Sequence, residues 1–499
     1  MKRSRFTTAI VAALALLAGA SVGAGRPPAI APAEYAARRA ALAKAIGPDA
    51  AFIAFSFTPA RRTGDIDWPF RQEDNLLYLT GMNAPDTTLA MLPGEPAHPE
   101  LLFTTDRDPS NERWTGRILS AREVTDATAV KDVRSSSRVD AFVDALLRGG
   151  GFGDRGPAAY YATPFAPAFF AAFKAGRAEV WLVLQDRGAR TTPTREQRFA
   201  EDLRRRYPEV RIRDASPILL AMREIKSDAE LALIQRAVDV TVDAQKAAMA
   251  RVLTASREYE VQATIEFTFR TLGACCPAFP SIVAAGRNAT TLHYETNEDP
   301  IVRGGLLLTD LGAEVDGYSA DVTRTYPADG AFSRDQRAIY DVVLAAQNET
   351  LPLMRPGHKF IEIHDRAQEV VGRELLKLGL VTKNAREQTE LYLFHGPGHP
   401  LGLQTHDVYD RQRTFERGMV FTNEPGVYVR KDDILASAMF AKLAAGEQQT
   451  IRAALDRYDG IGVRIEDDVL ITAAEPKVMS ASAPRTAHDI EALMAAAKR

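Results

Sequence analysis

Short apolar runs broken by Pro, Gly, Asp and Asn alternate along the chain with stretches whose apolar positions recur at helical spacing. That alternation predicts a mixed α/β chain. Helices are expected over Tyr35–Ile46 and Val139–Leu147, and strands over Ala51–Phe55, Leu76–Thr80, Thr88–Leu92 and Leu101–Thr104. Ser227 and Glu230 have the S-x-x-E form of a capping box, in which the serine oxygen accepts a helix amide and the glutamate reaches back. Leu231, Leu233, Ile234, Ala237, Val238 and Val242 follow at roughly helical spacing, so a long helix is expected to open a second domain. The polar stretch Thr382–Glu390 reads as a loop. Ile434–Tyr458 reads as a helical excursion ahead of a strand.

At 499 residues the chain is long for one domain. With 46% hydrophobic and 25% charged residues it has the balance of a soluble globular protein. A net charge of −3 argues against a large nucleic-acid footprint. The two cysteines, Cys275 and Cys276, are adjacent, which argues against a disulfide framework and against a multi-cysteine zinc or iron–sulfur site. Lys2, Arg3 and Arg5 precede an uncharged apolar stretch, Ala9–Ala20, followed by Val22-Gly23-Ala24. Residues 1–24 therefore read as a signal peptide, too short in its apolar part to span a bilayer comfortably. Export to the periplasm or outside the cell is the expectation. No phosphate loop, dinucleotide fingerprint or nucleophile elbow occurs.

Chemistry gathers in four places. Two strand-like runs between Leu306 and Tyr326 flank Asp316-Gly317, a strong hairpin signal. A tight turn there sets Val315 opposite Tyr318, Asp310 opposite Thr323 and Asp321 opposite Gly312. Asp310 and Asp321 are then diagonal neighbours on one face, with backbone sites ~7–8 Å apart. Such carboxylates can share one or two cations; without a cation they repel and one pKa rises. Three of the eight histidines, His395, His399 and His406, fall in a run rich in Gly and Pro, unlike the helical H-E-x-x-H arrangement. Glu424 ends a β-like run beside Pro425-Gly426. In Gly462–Ile471, alternation places Arg464, Glu466 and Asp468 on one face, opposite Val463 and Ile465. A charged inner face needs a partner, and cations suffice. Carboxylates with one or two imidazoles favour Mn, Co, Zn or Fe. Two such ions ~3.5–4 Å apart would activate water and clamp an oxyanion. The residues by themselves read as a dinuclear hydrolase.

These four segments resemble the metal-binding signature of the pita-bread metallopeptidases, most closely the Xaa-Pro aminopeptidase (aminopeptidase P) branch. In the N-terminal half the resemblance includes Trp68–Asn75 and Leu77–Gly81. It implies an N-terminal mixed α/β domain, 30–222, packed on a C-terminal pita-bread catalytic domain, 223–499. It implies two divalent cations, Mn2+ first, with Zn2+, Co2+ or Fe2+ as alternatives. Asp310 resembles the chelating ligand of one ion, Asp321 and Glu466 the bridging carboxylates, and His399 and Glu424 the ligands of the other. Glu424 would also take a proton from the attacking water. His395 and His406 resemble the histidines that steady the scissile peptide and the tetrahedral intermediate. His293 resembles another substrate-side histidine, and Arg464 an arginine that orients a bridging carboxylate.

The activity so implied is release of the N-terminal residue from peptides with proline second. A prolidase, which needs a free carboxylate after proline, and a non-catalytic peptidase-like binding module are the competing readings. A methionine aminopeptidase is disfavoured by the large N-terminal half, and a creatinase-like enzyme by five filled ligand positions. Peptides are the expected partners, with no nucleic acid and no membrane span once the signal peptide is removed. A homo-oligomer, dimer or tetramer, is also implied; Trp114 resembles a tryptophan that reaches a neighbouring subunit's active site. Two features depart from the family pattern. One is the leader. The other is Ile434–Tyr458, which lies between Glu424 and Glu466 and is expected to form a flap at the cleft rim.

Overall fold

The structure is a computed structural model that describes residues 30–153, 164–184 and 192–499. The expected signal peptide, 1–24, lies outside the described residues.

The N-terminal half is built on six strands: β1 (Ala50–Phe55), β2 (Thr88–Met91), β3 (Glu100–Thr104), β4 (Asp132–Ser135), β5 (Glu179–Leu182) and β6 (Arg211–Asp214). They form one sheet in the order β4-β3-β2-β1-β5-β6. The β1–β2 and β2–β3 pairs are antiparallel and the rest parallel. Strand β1 is central and buried throughout, which is why its sequence is an unbroken apolar run. Its two faces serve two cores. Ala51, Ile53 and Phe55 pack with Phe103, Phe142 and Phe169. Ala50, Phe52 and Ala54 belong to a larger core that continues into the second half through Leu233, Val315 and Val343.

Most of the expected elements of this half are present. The first helix spans Pro32–Ile46 and another Val139–Arg148. Leu76–Thr80 is not a strand but part of a helix, Asp74–Thr80. Glu73 caps it by accepting from the Leu76 amide, and Gly81 ends it in the left-handed region. A five-residue apolar run has no periodicity with which to tell the two apart.

The second half opens at Ser227, where both capping-box hydrogen bonds form (3.2 and 3.0 Å), and the helix Asp228–Arg251 follows. It packs on Glu258–Thr271, as Arg334–Thr350 packs on Phe360–Lys377. Between the helix pairs lie short antiparallel strands: β7 (Ile282–Ala285), β8 (Leu306–Leu311), β9 (Val322–Pro327), β10 (Val420–Asn423), β11 (Gly426–Tyr428), β12 (Gly462–Arg464) and β13 (Asp467–Leu470). Strand β8 pairs with β7 and β9, β10 with β13, and β11 with β12.

The hairpin register is the expected one, with Asp310 opposite Thr323 and Val315 opposite Tyr318. Asp316 and Gly317 turn the chain with φ of 49° and 85°, as a tight hairpin turn demands. The hairpin changes sheet at Gly312, where a Cβ would come within 2.1 Å of the Ala320 carbonyl oxygen.

Three further expectations need correction. Gly462–Ile471 is two strands with a break at Ile465-Glu466, because β12 follows β11 while β13 follows β10. The stretch Thr382–Glu390 contains a helical turn, Arg386–Thr389. Ile434–Tyr458 is helical as expected, but none of it lines the main cleft. Its longest helix, Ala445–Tyr458, buries Ile451, Leu455 and Tyr458 and packs on Arg334–Thr350 instead.

Buried ion pairs clasp the two halves. Arg223 donates to Asp407 (2.6 Å) and to Asn75 (2.8 Å), and Lys226 donates to the other Asp407 oxygen (3.3 Å). The Asp407 amide closes its loop on the Pro400 carbonyl (2.9 Å), so this carboxylate anchors the segment that carries His399 and His406. Replacing Asp407 by Ala strands two buried cations, so a loss of about 3–5 kcal/mol of stability is expected. Urea unfolding of the metal-free protein measures it.

Candidate metal centre

A cleft of about 1950 Å³ opens between the halves, with Arg71 and Asp74 on one wall and His293, Asp310 and Glu424 among the residues opposite. Each candidate side chain enters from a strand end or a break. Asp310 lies in β8 and Asp321 directly precedes β9; Glu424 directly follows β10, and Glu466 sits in the break between β12 and β13. His399 comes from the loop, held by hydrogen bonds in both directions to Thr422 (3.0 and 2.8 Å).

The structure gathers Asp321, His399 and Glu466, sets Glu424 against His399, and links Asp310 to Glu466 through Arg464 and Thr323. His399 Nδ1 faces the Pro400 carbonyl (3.2 Å), which leaves Nε2 toward the acids. Nε2 lies 3.4 Å from Asp321, 3.5 Å from Glu424 and 3.9 Å from Glu466. Ligand atoms of Asp321, His399 and Glu466 all fall within 4.8 Å of one another.

Asp310 and Glu466 are each held through one carboxylate oxygen. Arg464 donates to Asp310 Oδ2 (2.5 Å) and to Thr323 Oγ1 (3.2 Å), and Thr323 donates to Glu466 Oε2 (2.6 Å). The other oxygens, Asp310 Oδ1, Asp321 Oδ1 and Glu466 Oε1, are buried with no hydrogen-bond partner. A buried acceptor without a donor is costly. Divalent cations satisfy all three at once, so the residues present fit a metal centre.

The electrostatics point the same way. Burial and the neighbouring Glu466 and Asp310 carboxylates push Asp321 well above the carboxylate range, and burial with Glu466 does the same to Glu424. Burial raises Glu466 to about 8, with Asp310 adding to the shift. Burial also pulls His395 down to about 4 and His399 to about 3, so both rings are neutral at neutral pH and His399 can offer its Nε2 lone pair to a cation.

The remaining candidates take different places. His406 and His293 line the cleft, with the His406 ring 4.3 Å from that of His399 and 6.5 Å from that of His293. His395 also borders the cleft, but both its nitrogens are engaged, with the Gly396 carbonyl (2.7 Å) and the Tyr428 hydroxyl (2.9 Å). Arg464 donates to that hydroxyl as well (3.0 Å), so it spans Asp310, Thr323 and Tyr428. Trp114 is 90% exposed and lies away from the cleft of its own chain.

Sequence reasoning missed several supports. Tyr428 is one, and the particular role of Asp468 is another, its side-chain Oδ2 accepting the Asp321 amide (3.0 Å). Two buried glutamines work as a pair. Gln245 donates to the carbonyls of Thr309 and Val322 (3.1 and 2.6 Å), and Gln347 to those of Asn423 and Ile465 (both 3.1 Å). Each of these carbonyls belongs to the residue beside one of the four acids. Only the helical position of the glutamines on apolar faces could have hinted at it.

A mixed α/β domain set over a cleft of acids and neutral imidazoles defines a metal-dependent hydrolase. A family model described as "Metallopeptidase family M24" matches residues 232–473, and one described as "Aminopeptidase P, N-terminal domain" matches 35–151. The Xaa-Pro aminopeptidase of Haemophilus influenzae is 32% identical over 470 residues, covering 92% of this chain and 97% of that protein. The solved structure of Pseudomonas aeruginosa aminopeptidase PepP superposes with a TM-score of 0.80 at 31% identity, covering 94% of this chain and 99% of that one. Aminopeptidase P from Escherichia coli, solved with the inhibitor Pro-Leu, gives 0.77 at 30% identity and the same coverage. The chain belongs to metallopeptidase family M24, in its aminopeptidase P branch.

Without metal, the raised pKa of Glu466 makes a testable pH dependence. Between its ordinary value and about 8 the folded protein holds a proton that the unfolded chain releases, so stability falls as pH rises. The depressed histidines oppose this only below their unfolded pKa of about 6.5. Thermal unfolding of chelator-treated protein should therefore show a midpoint falling from pH 6.5 to 8. Glu466→Gln is expected to make the fall shallower, and divalent cations to abolish it.

Proposed function

We propose that the chain is a Xaa-Pro aminopeptidase, a hydrolase that removes the first residue from peptides with proline second. The observation that carries this reading is the convergence of Asp310, Asp321, His399, Glu424 and Glu466 in a cleft walled by an aminopeptidase P-type N-terminal domain. These five would hold divalent cations, Mn2+ first and Zn2+, Co2+ or Fe2+ as alternatives. When bound, the cations supply Lewis-acid polarisation of the scissile carbonyl and an acidified water.

The chain's own groups do the rest. Glu424, which directly follows β10 and lines the cleft, takes a proton from the attacking water and returns it to the departing proline nitrogen. His406 and His293 present imidazoles along the cleft and hold the carbonyl as it becomes an oxyanion. Arg464 keeps Asp310 in place directly and Glu466 through Thr323, and its hydroxyl partner Tyr428 steadies His395. The relatives compared are called Xaa-Pro aminopeptidases and not dipeptidases. A cleft of about 1950 Å³ also leaves room for a peptide chain beyond the proline. Export of the mature chain and assembly into a homo-oligomer, with Trp114 at the contact, complete the reading. Among the described residues no helix is long and apolar enough to cross a membrane.

The test is a side-by-side digestion of an Arg-Pro-Pro-type peptide and Gly-Pro by the Mn-loaded protein, with products read by mass. Release of the first residue alone from the longer peptide is expected. Cleavage confined to Gly-Pro would make the protein a prolidase, and no cleavage of either would remove the enzymatic reading. Asp321→Ala should lower kcat/KM by more than about 100-fold, beyond what loss of a group behind a ligand costs, together with one equivalent of bound metal.

A further inference from the structure

Besides the acidic centre, the described residues bring together one other set of metal-ligating side chains: Cys275, Cys276 and Glu314, whose ligand atoms lie within 4.8 Å of one another. Neighbouring residues of a regular strand send their side chains to opposite faces. These two do not. Cys276 starts the short strand Cys276–Pro277 and lies opposite Glu314, while Cys275 stands just before it and donates its amide to the Glu314 carbonyl (3.1 Å). Both sulfurs turn to the same side, 2.8 Å apart. Glu314 Oε1 lies 3.3 Å from Cys275 Sγ and 3.9 Å from Cys276 Sγ.

The carboxylate is not a passing neighbour. Glu314 is 7% exposed, and its other oxygen is held by Arg71 Nε at 2.7 Å, so Oε1 is aimed at the thiols by a contact from behind. The thiols themselves are accessible, Cys275 exposed and Cys276 partly so. Their proton affinities are split by their mutual hydrogen bond, Cys275 raised and Cys276 lowered, so Cys276 is the readier to ionise.

We propose that Cys275, Cys276 and Glu314 form a second cation site that takes one soft divalent ion, Zn2+ or Cd2+, separate from the acidic centre. Two cysteines are too few for a cysteine-only site, which is why the sequence argued against one. The third ligand comes from a strand 38 residues away in the chain. Thiolates select Zn2+ or Cd2+ over the harder Mn2+, so the two sites divide the metals between them by ligand type. Tetrahedral coordination with metal–sulfur bonds of about 2.3 Å requires the sulfurs to open by roughly 1 Å. The exposed edge on which Cys275 sits allows that movement. Both thiols bind as thiolates and release their protons to solvent; no oxidation is involved. Three protein ligands leave a fourth position for water. Glu314 and Arg71 both border the substrate cleft, so the site lies in its wall.

The test uses the full, freshly reduced chain with its acidic centre saturated with Mn2+, titrated with Cd2+ alone. One added equivalent of Cd2+ with thiolate-to-metal charge-transfer absorption in the ultraviolet is expected, with the bound Mn2+ retained. Cys275→Ser with Cys276→Ser should abolish the band, and Glu314→Gln should weaken binding at least tenfold. Absence of the band, its persistence in the double serine variant, or binding only by displacement of Mn2+ would overturn the proposal.

Discussion

Asp321 and Glu466 are 5% and 1% exposed, Glu424 and Asp310 stand beside them, and Arg464 meets the group at the Asp310 carboxylate. Two like charges 4 Å apart repel by about 4 kcal/mol even at an effective dielectric of 20. A chain that folds with these side chains together must therefore hold protons there or hold cations. The raised proton affinities of Asp321, Glu424 and Glu466 are the first answer, and a metal pair is the second. The neutral state of His399 belongs to the same logic, since burial that disfavours imidazolium leaves a lone pair facing the acids.

Holding repelling groups in register requires a backbone that cannot relax. The hairpin is pinned by a tight turn at one end and by the bare approach of Gly312 to Ala320 in its middle. Thr323 joins the two sides of the site, its carbonyl accepting the Glu466 amide (3.1 Å) while its hydroxyl donates to the Glu466 carboxylate. Gln245 and Gln347 brace the four acid-bearing segments from the two helix pairs. The N-terminal domain closes the cleft, and it is held there through Arg71 to Glu314 and Asn75 to Arg223.

Much of this was legible in the residues. The Asp-Gly turn dictates register, so the pairing of Asp310 with Thr323 followed from spacing, and the Ser227 capping box marked the start of the long helix. The histidine run announced a ligand by its composition, yet spacing could not tell that His395 has both nitrogens engaged while His399 turns Nε2 to the acids. The break at Ile465-Glu466 was hidden because alternation continues across it, the same side chains facing the same way on two strands. Leu76–Thr80 was misread for want of length. The Cys275–Cys276 convergence depends on one residue standing just outside a strand, and the packing of Ala445–Tyr458 on Arg334–Thr350, away from the cleft, depends on tertiary structure. Neither leaves a local mark.

Asp321 and Glu466 would both hold the bound cations, and anomalous diffraction from crystals grown with Mn2+ tests this most directly. Two peaks about 3.5–4 Å apart, both within bonding distance of these two carboxylates, are the predicted result. A single peak, or a pair bound elsewhere with Asp321 and Glu466 left unliganded, would contradict it.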